Sequence, residues 1–148
     1  MTLKISSLKA NLAREVEGDW ITYPRWKDIR FNVSAFTKPS YQTARDELHQ
    51  RVAKKNGGVL PGVDEMRPHY AKLYVDEILH DWDGFDIEYS PEDAVALLSD
   101  PAYRDLFDAV EWCAGQMSRV EVEYVEGAAK NSAPPSAGGS KAKVQTTG

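Results

Sequence analysis

Ile78-Leu79-His80-Asp81-Trp82-Asp83-Gly84-Phe85, then Tyr89-Ser90-Pro91-Glu92-Asp93-Ala94 and Leu97-Leu98-Ser99-Asp100-Pro101, form the stretch on which the fold turns. Ser90 is an N-cap residue, Pro91 suits the first helical position, and Asp93 lies three residues on, so a helix starts here. Asp100-Pro101 repeats the device and starts another. From Tyr103 the apolar residues Leu106, Val110, Cys113, Met117, Val120 and Tyr124 step by three and four, the spacing of one helical stripe. That spacing predicts a last helix from about Ala102 to about Tyr124, with Gly115 costing about 1 kcal/mol against alanine. Upstream, Tyr70, Leu73, Tyr74, Ile78 and Leu79 give a dense apolar face that continues to Trp82, so a helix is expected to end near Leu79. It begins near Asp64 or Arg67, because Pro68 is accommodated only in a first turn. Asp83-Gly84 then turns the chain.

Toward the N-terminus the period changes. In Ile29-Arg30-Phe31-Asn32-Val33-Ser34-Ala35 the apolar residues alternate with Arg30, Asn32 and Ser34, the mark of a half-buried strand. Trp20-Ile21-Thr22-Tyr23 is short, aromatic and β-branched. The two runs predict a hairpin, which is marginal alone and must rest its apolar face on helices. Between Pro39 and Lys55, Tyr41, Ala44, Leu48 and Val52 share one helical face, and Asn56-Gly57-Gly58 ends it. Ile5, Leu8, Leu12 and Val16 allow a weak amphipathic helix, against which Ser6-Ser7 and Asn11 weigh.

These elements predict an α+β, mostly helical fold: an N-terminal β-hairpin packed on a bundle of about four helices. Residues 1–127 read as a single globular domain, with 1–17 loose. Residues 128–148 are rich in Pro, Gly, Ser and Lys and read as a disordered tail or linker.

Charge is uneven. Residues 1–60 balance to +5, residues 61–127 to −13 and residues 128–148 to +3. Phosphate-backbone binding needs clustered cations, so nucleic acid is not the expected partner. An acidic body repels its own copies or meets a basic partner, though a plain solvated acidic face gives the same pattern. The chain has one cysteine, Cys113, and it falls on the apolar stripe, where a buried core thiol is expected. No run of 18 apolar residues is present, and the start lacks the apolar core of a secretory signal, so a cytosolic protein away from membranes is expected.

No constellation for chemistry stands out. Asp81, Asp83 and Asp86 beside His80 lack the spacing of a calcium loop, because glycine comes fourth rather than sixth. His49, His69 and His80 have no zinc spacing. Phosphate-loop, zinc-protease and nucleophile-elbow motifs are missing. The expectation is therefore a non-enzyme without metal or cofactor. For partner binding the candidates are Trp26, in the hairpin loop beside Arg25 and Lys27, and the acid-aromatic segment Asp81, Trp82, Asp83 and Phe85. Trp82 and Trp112 read equally as core.

The quoted stretch, extended by Tyr103-Arg104-Asp105-Leu106 and preceded by Gly18-Asp19-Trp20-Ile21, resembles the tail assembly chaperones of long-tailed bacteriophages. Their pattern is a helix running into acid-Trp-acid-Gly, a Tyr-Ser-x-Glu-like helix start, Leu-Leu-x-Asp-Pro and a long final helix. The likeness covers residues 18–115 and carries no catalytic residue. It implies a chaperone made in the host cytoplasm during infection that binds and solubilises the tape measure protein and is absent from the virion. It also implies, in many such systems, a frameshift-extended form that recruits the tail tube protein, and it leaves a homo-oligomer open. The alternatives are a head–tail connector or tail completion protein of the virion, and an acidic mimic of nucleic acid that inhibits a host enzyme.

Overall fold

Residues 1–126 are described by a computed structural model; the tail expected at 128–148 lies outside them. β1 (Thr2–Leu3) and a 3-10 turn at Ile5–Leu8 precede α1 (Leu12–Glu17). β2 (Asp19–Thr22), β3 (Arg30–Val33), α2 (Pro39–Lys55), α3 (Val63–Glu77), β4 (Leu79–Asp83) and α4 (Pro91–Ser99) follow. A 3-10 turn at Pro101–Tyr103 leads into α5 (Arg104–Met117), and β5 (Tyr124–Val125) comes last. The fold is α+β and mostly helical, as the periodicities predict. The described residues fall into two compact units, Asn11–Arg119 and residues 1–10 with the segment from Val120.

The larger unit has a three-stranded antiparallel sheet, in the order β2-β3-β4. The expected hairpin is there: Ile21 faces Phe31 and Trp20 faces Asn32. Ile29, Phe31, Val33 and Ala35 are buried as the alternation requires. Ser34, expected to face outward, is fully buried. Its hydroxyl donates to the Val16 carbonyl at 2.8 Å and meets His80 Nε2 at 2.7 Å. With its one proton given to Val16, Ser34 must accept from His80, which places the ring proton on Nε2. The same corner holds α1: Ala35 N donates to Glu15 O, and Thr37 Oγ1 donates to the buried Glu15 carboxylate. Polar bonds thus secure a helix whose own apolar residues, Leu12 and Val16, are exposed.

Three boundaries differ from expectation. First, the helix expected to end near Leu79 ends at Glu77, and residues 79–83, expected to lead from it into the Asp83-Gly84 turn, are a strand. β4 pairs Phe31 with Trp82, Asn32 with Asp81 and Val33 with Leu79, so His80 is the extra residue of a β-bulge. The bulge turns Leu79 and Trp82, three apart, to the same buried side, and that spacing imitates a helix. Second, α5 stops at Met117. Val120 and Tyr124 extend the three-four rhythm only by coincidence, because Val120, Val122 and Tyr124 alternate with Glu121 and Glu123 as a strand does. Third, Pro68 is the sixth residue of α3 rather than part of its first turn, so the bond its N–H would have made to the Asp64 carbonyl is missing.

The cap signals are realised. Ser90 Oγ accepts from Asp93 N at 3.1 Å with Pro91 behind it, and Asp100 Oδ1 accepts from Ala102 N at 2.9 Å. α4 packs on α3, and α5 lies against β2 and β3. Leu98, Val110 and Cys113 join Phe31, Val33, Ile78 and Leu79 in the fully buried centre. Beside it Phe36, Tyr41, Tyr74 and Phe107 form a ring cluster. Burial, and then the bond from its hydroxyl to Glu111 Oε2 at 2.5 Å, holds the Tyr74 phenol protonated far above the usual tyrosine range.

In the smaller unit β1 and β5 pair antiparallel, Thr2 with Val125 and Leu3 with Tyr124. Lys4 N donates to Glu123 O at 2.8 Å and Glu123 N to Ser7 Oγ at 2.9 Å. None of its described residues is buried. The Lys4–Glu123 ion pair at 3.3 Å is exposed, so it contributes at most about 1 kcal/mol.

Candidate functional site

The β4–α4 connection shapes the most prominent concavity. Gly84 has a φ of +106°, which only glycine takes without strain, and it turns the chain back beside Asp28, itself left-handed at +61°. The returning segment is sewn down at two points. Trp82 Nε1 donates to Ile87 O at 3.0 Å, and the Tyr89 hydroxyl donates to Leu79 O at 3.1 Å. The aromatic rings of this corner meet edge to face: Tyr23–Trp26 at 4.9 Å, Trp26–Phe85 at 6.4 Å, Trp82–Phe85 at 5.5 Å and Trp82–Tyr89 at 5.0 Å. That is the favoured arrangement for rings with a negative face and a positive edge.

Three of these rings, Trp26, Trp82 and Phe85, belong to one wall of a groove of about 500 Å³. Trp26, Trp82, Phe85 and Ile87 come from the sheet side, and Leu97, Ala102, Tyr103 and Leu106 come from α4, the following turn and α5. Ile87 and Tyr103 are 44% and 47% exposed, a large apolar presentation at its mouth. Two carboxylates, Asp86 and Asp105, complete the lining, which contains no Lys, Arg or His. Arg25 and Lys27, the chain neighbours of Trp26, are exposed and are not part of it.

Of the five residues expected to bind a partner, the groove brings together Trp26, Trp82 and Phe85. Trp26 is half-buried against its neighbours rather than standing free in its loop. Asp81 and Asp83 are not in the groove's lining; they line an adjoining polar hollow of about 340 Å³ that shares Trp82, Phe85 and Ile87 with the groove and adds Glu88 and Tyr89. Asp83 is engaged by Arg30 at 2.9 Å, whose guanidinium also lies 4.5 Å over the Trp20 ring. Asp81 Oδ1 accepts from Trp82 N at 2.8 Å. Sequence reasoning missed the second wall. Tyr103 and Leu106 read as core residues of their stripe, Leu97 only as part of the helix end before Asp100-Pro101, and only the tertiary fold tells that Tyr103 faces outward. Trp112, read as core, is 41% exposed and lies 5.7 Å from Tyr23, extending the aromatic surface.

The cysteine and two of the three histidines are held in structural contacts, and His69 is exposed. Burial pushes the Cys113 thiol up to about 12, far from a nucleophile. His49 Nε2 meets the Tyr70 hydroxyl at 2.8 Å, and His80 is locked on Ser34. Among the described residues no three His, Cys, Asp or Glu converge as a metal site needs. What the geometry offers is contact: an open aromatic groove on an acidic body.

Residues 36–131 match the YdaY prophage protein family. The match spans more than half of the 148 residues and takes in every groove residue except Trp26. The chain belongs to that family and is a phage-associated protein. Neither a curated protein nor a solved structure matches it.

Proposed function

We propose that this protein is a phage tail assembly chaperone that binds the tape measure protein in the host cytoplasm, keeps it soluble while the tail forms, and is not retained in the virion. The observation that carries the reading is the aromatic groove: a concave apolar surface left open on an acidic, self-repelling body whose cysteine, His49 and His80 are held in structural contacts. A holdase needs that combination, and no active site. Family membership supports the phage context, and the acid-Trp-acid-Gly and Leu-Leu-x-Asp-Pro segments, through which the chain resembles tail assembly chaperones, contribute Trp82 and Leu97, one residue to each wall of the groove.

The test is co-expression with the tape measure protein of the same prophage. The expected result is a larger soluble fraction of that protein, a complex that survives gel filtration, and purified particles without this chain. Unchanged solubility with no complex would sink the reading, and finding the chain in particles would move it to a structural role in the virion.

A further inference from the structure

The groove also specifies the chemistry of what enters it. We infer that it binds an amphipathic α-helix whose apolar ridge carries Lys or Arg at its borders. The inference rests on the chaperone reading for the partner's identity, but on the groove alone for the partner's chemistry.

Three observations lead there. The floor is aromatic and aliphatic, so the occupant must bring apolar side chains to be worth desolvating. Asp86 and Asp105 are the only charged residues of the lining, so a basic border is attracted and an acidic one repelled. The repulsion is strengthened by the neighbouring acid of the turn, Glu88, whereas Asp83 is already paired with Arg30. The third concerns the form of the occupant. An extended peptide recognised by strand addition needs a free sheet edge. β4 is the sheet edge at this place, but the returning segment lies along it, with Tyr89 on the Leu79 carbonyl and Trp82 Nε1 on Ile87. A helix needs no edge. It places side chains at i, i+3, i+4 and i+7 in such a groove and satisfies its own backbone.

The test uses the full chain and three synthetic helical peptides of about 20 residues, some 30 Å long, titrated by fluorescence anisotropy. One carries leucines at i, i+3, i+4 and i+7 bordered by lysines. The second has the same leucines bordered by glutamates. The third has the composition of the first with its leucines scattered around the helix. The first should bind at least about tenfold more tightly than the other two, and more weakly as salt rises. Two variants leave the core intact. Asp86→Asn with Asp105→Asn should weaken the lysine peptide about three- to tenfold, the worth of two partly exposed ion pairs. Ala102→Trp, at an exposed position of the lining, should fill the groove and abolish binding, with unchanged circular dichroism.

Equal binding of the lysine and glutamate peptides overturns the inference, and so does indifference to either variant. The two readings fail separately. If the lysine peptide does not bind, or binds no better than the glutamate peptide, while the parent chain solubilises the tape measure protein, the groove inference falls and the chaperone reading stands. If the lysine peptide binds as described but the tape measure protein is neither bound nor solubilised, the groove inference stands and the chaperone reading falls.

Discussion

Replacing Gly84 by alanine is the sharpest test of the turn that seats the groove. Its φ of +106° lies where a side chain is strained, a cost of about 1–3 kcal/mol. The added Cβ would also sit on the carbonyl oxygen of Asp28 and come within 2.9 Å of Ile29 Cδ1. A flexible side chain would swing away, but a backbone carbonyl cannot. Asp28 is itself left-handed and leads directly into β3. Relief therefore requires moving the loop that carries Trp26. Strain and overlap together give an expected loss of about 3–5 kcal/mol, the range reached when tight packing is disrupted. For a domain of this size that is a fall in Tm of about 10–20 °C. Urea unfolding followed by tryptophan fluorescence, with a thermal melt by circular dichroism, measures both. Gly115→Ala is the control. It lies within α5 with nothing inside 4 Å of the added Cβ, so it should be stabilising by about 0.4–1 kcal/mol. If Gly84→Ala came within about 0.5 kcal/mol of the parent, the ordinary range for surface substitutions, the close approach of the two loops would be wrong.

Ser90→Ala should cost about 1 kcal/mol by leaving Asp93 N without its cap, and Ser90→Asp should restore most of it; urea midpoints decide. The Cys113 thiol, buried and raised to about 12, should react with a disulfide reagent only as fast as the protein opens, so labelling should follow the unfolding curve in denaturant. Native labelling at the rate of a free thiol would contradict its burial. Burial, and then the nearby Lys38 cation, depress the His80 pKa below 6.5, so the unfolded chain binds the proton more readily than the folded one. This contribution to stability is complete above about pH 6.5 and declines as the pH falls through the window below it. His80→Gln, which keeps a donor for Ser34, should flatten that part of the profile between pH 7.5 and 5.5.

Local signals and tertiary ones were legible to different degrees. α2 and α4 could be read because proline, serine and glycine act on their own backbone neighbours, within one turn. The β2–β3 hairpin could be read because Ile29, Phe31, Val33 and Ala35 share a face regardless of what covers it. β4 could not, because its burial pattern is set by the bulge at His80, a property of how it pairs with β3. The end of α5 was hidden because Met117, Val120 and Tyr124 continue a helical rhythm across a change to alternation. Half of the groove was legible in the same sense. Trp26, Trp82 and Phe85 stand out as aromatic residues among charges. Tyr103 and Leu106 sit on a stripe that looks like ordinary core, and only the packing of α4 and α5 brings them together with Leu97 in the groove.

The pairing of Thr2 with Val125 joins positions 123 residues apart. During synthesis this ribbon is the last element that can close, because β5 must leave the ribosome before β1 finds a partner, whereas the β2–β3 hairpin and α2 close earlier. A donor and acceptor dye placed at Thr2 and Val125 would report, as one distance, whether the ribbon is shut.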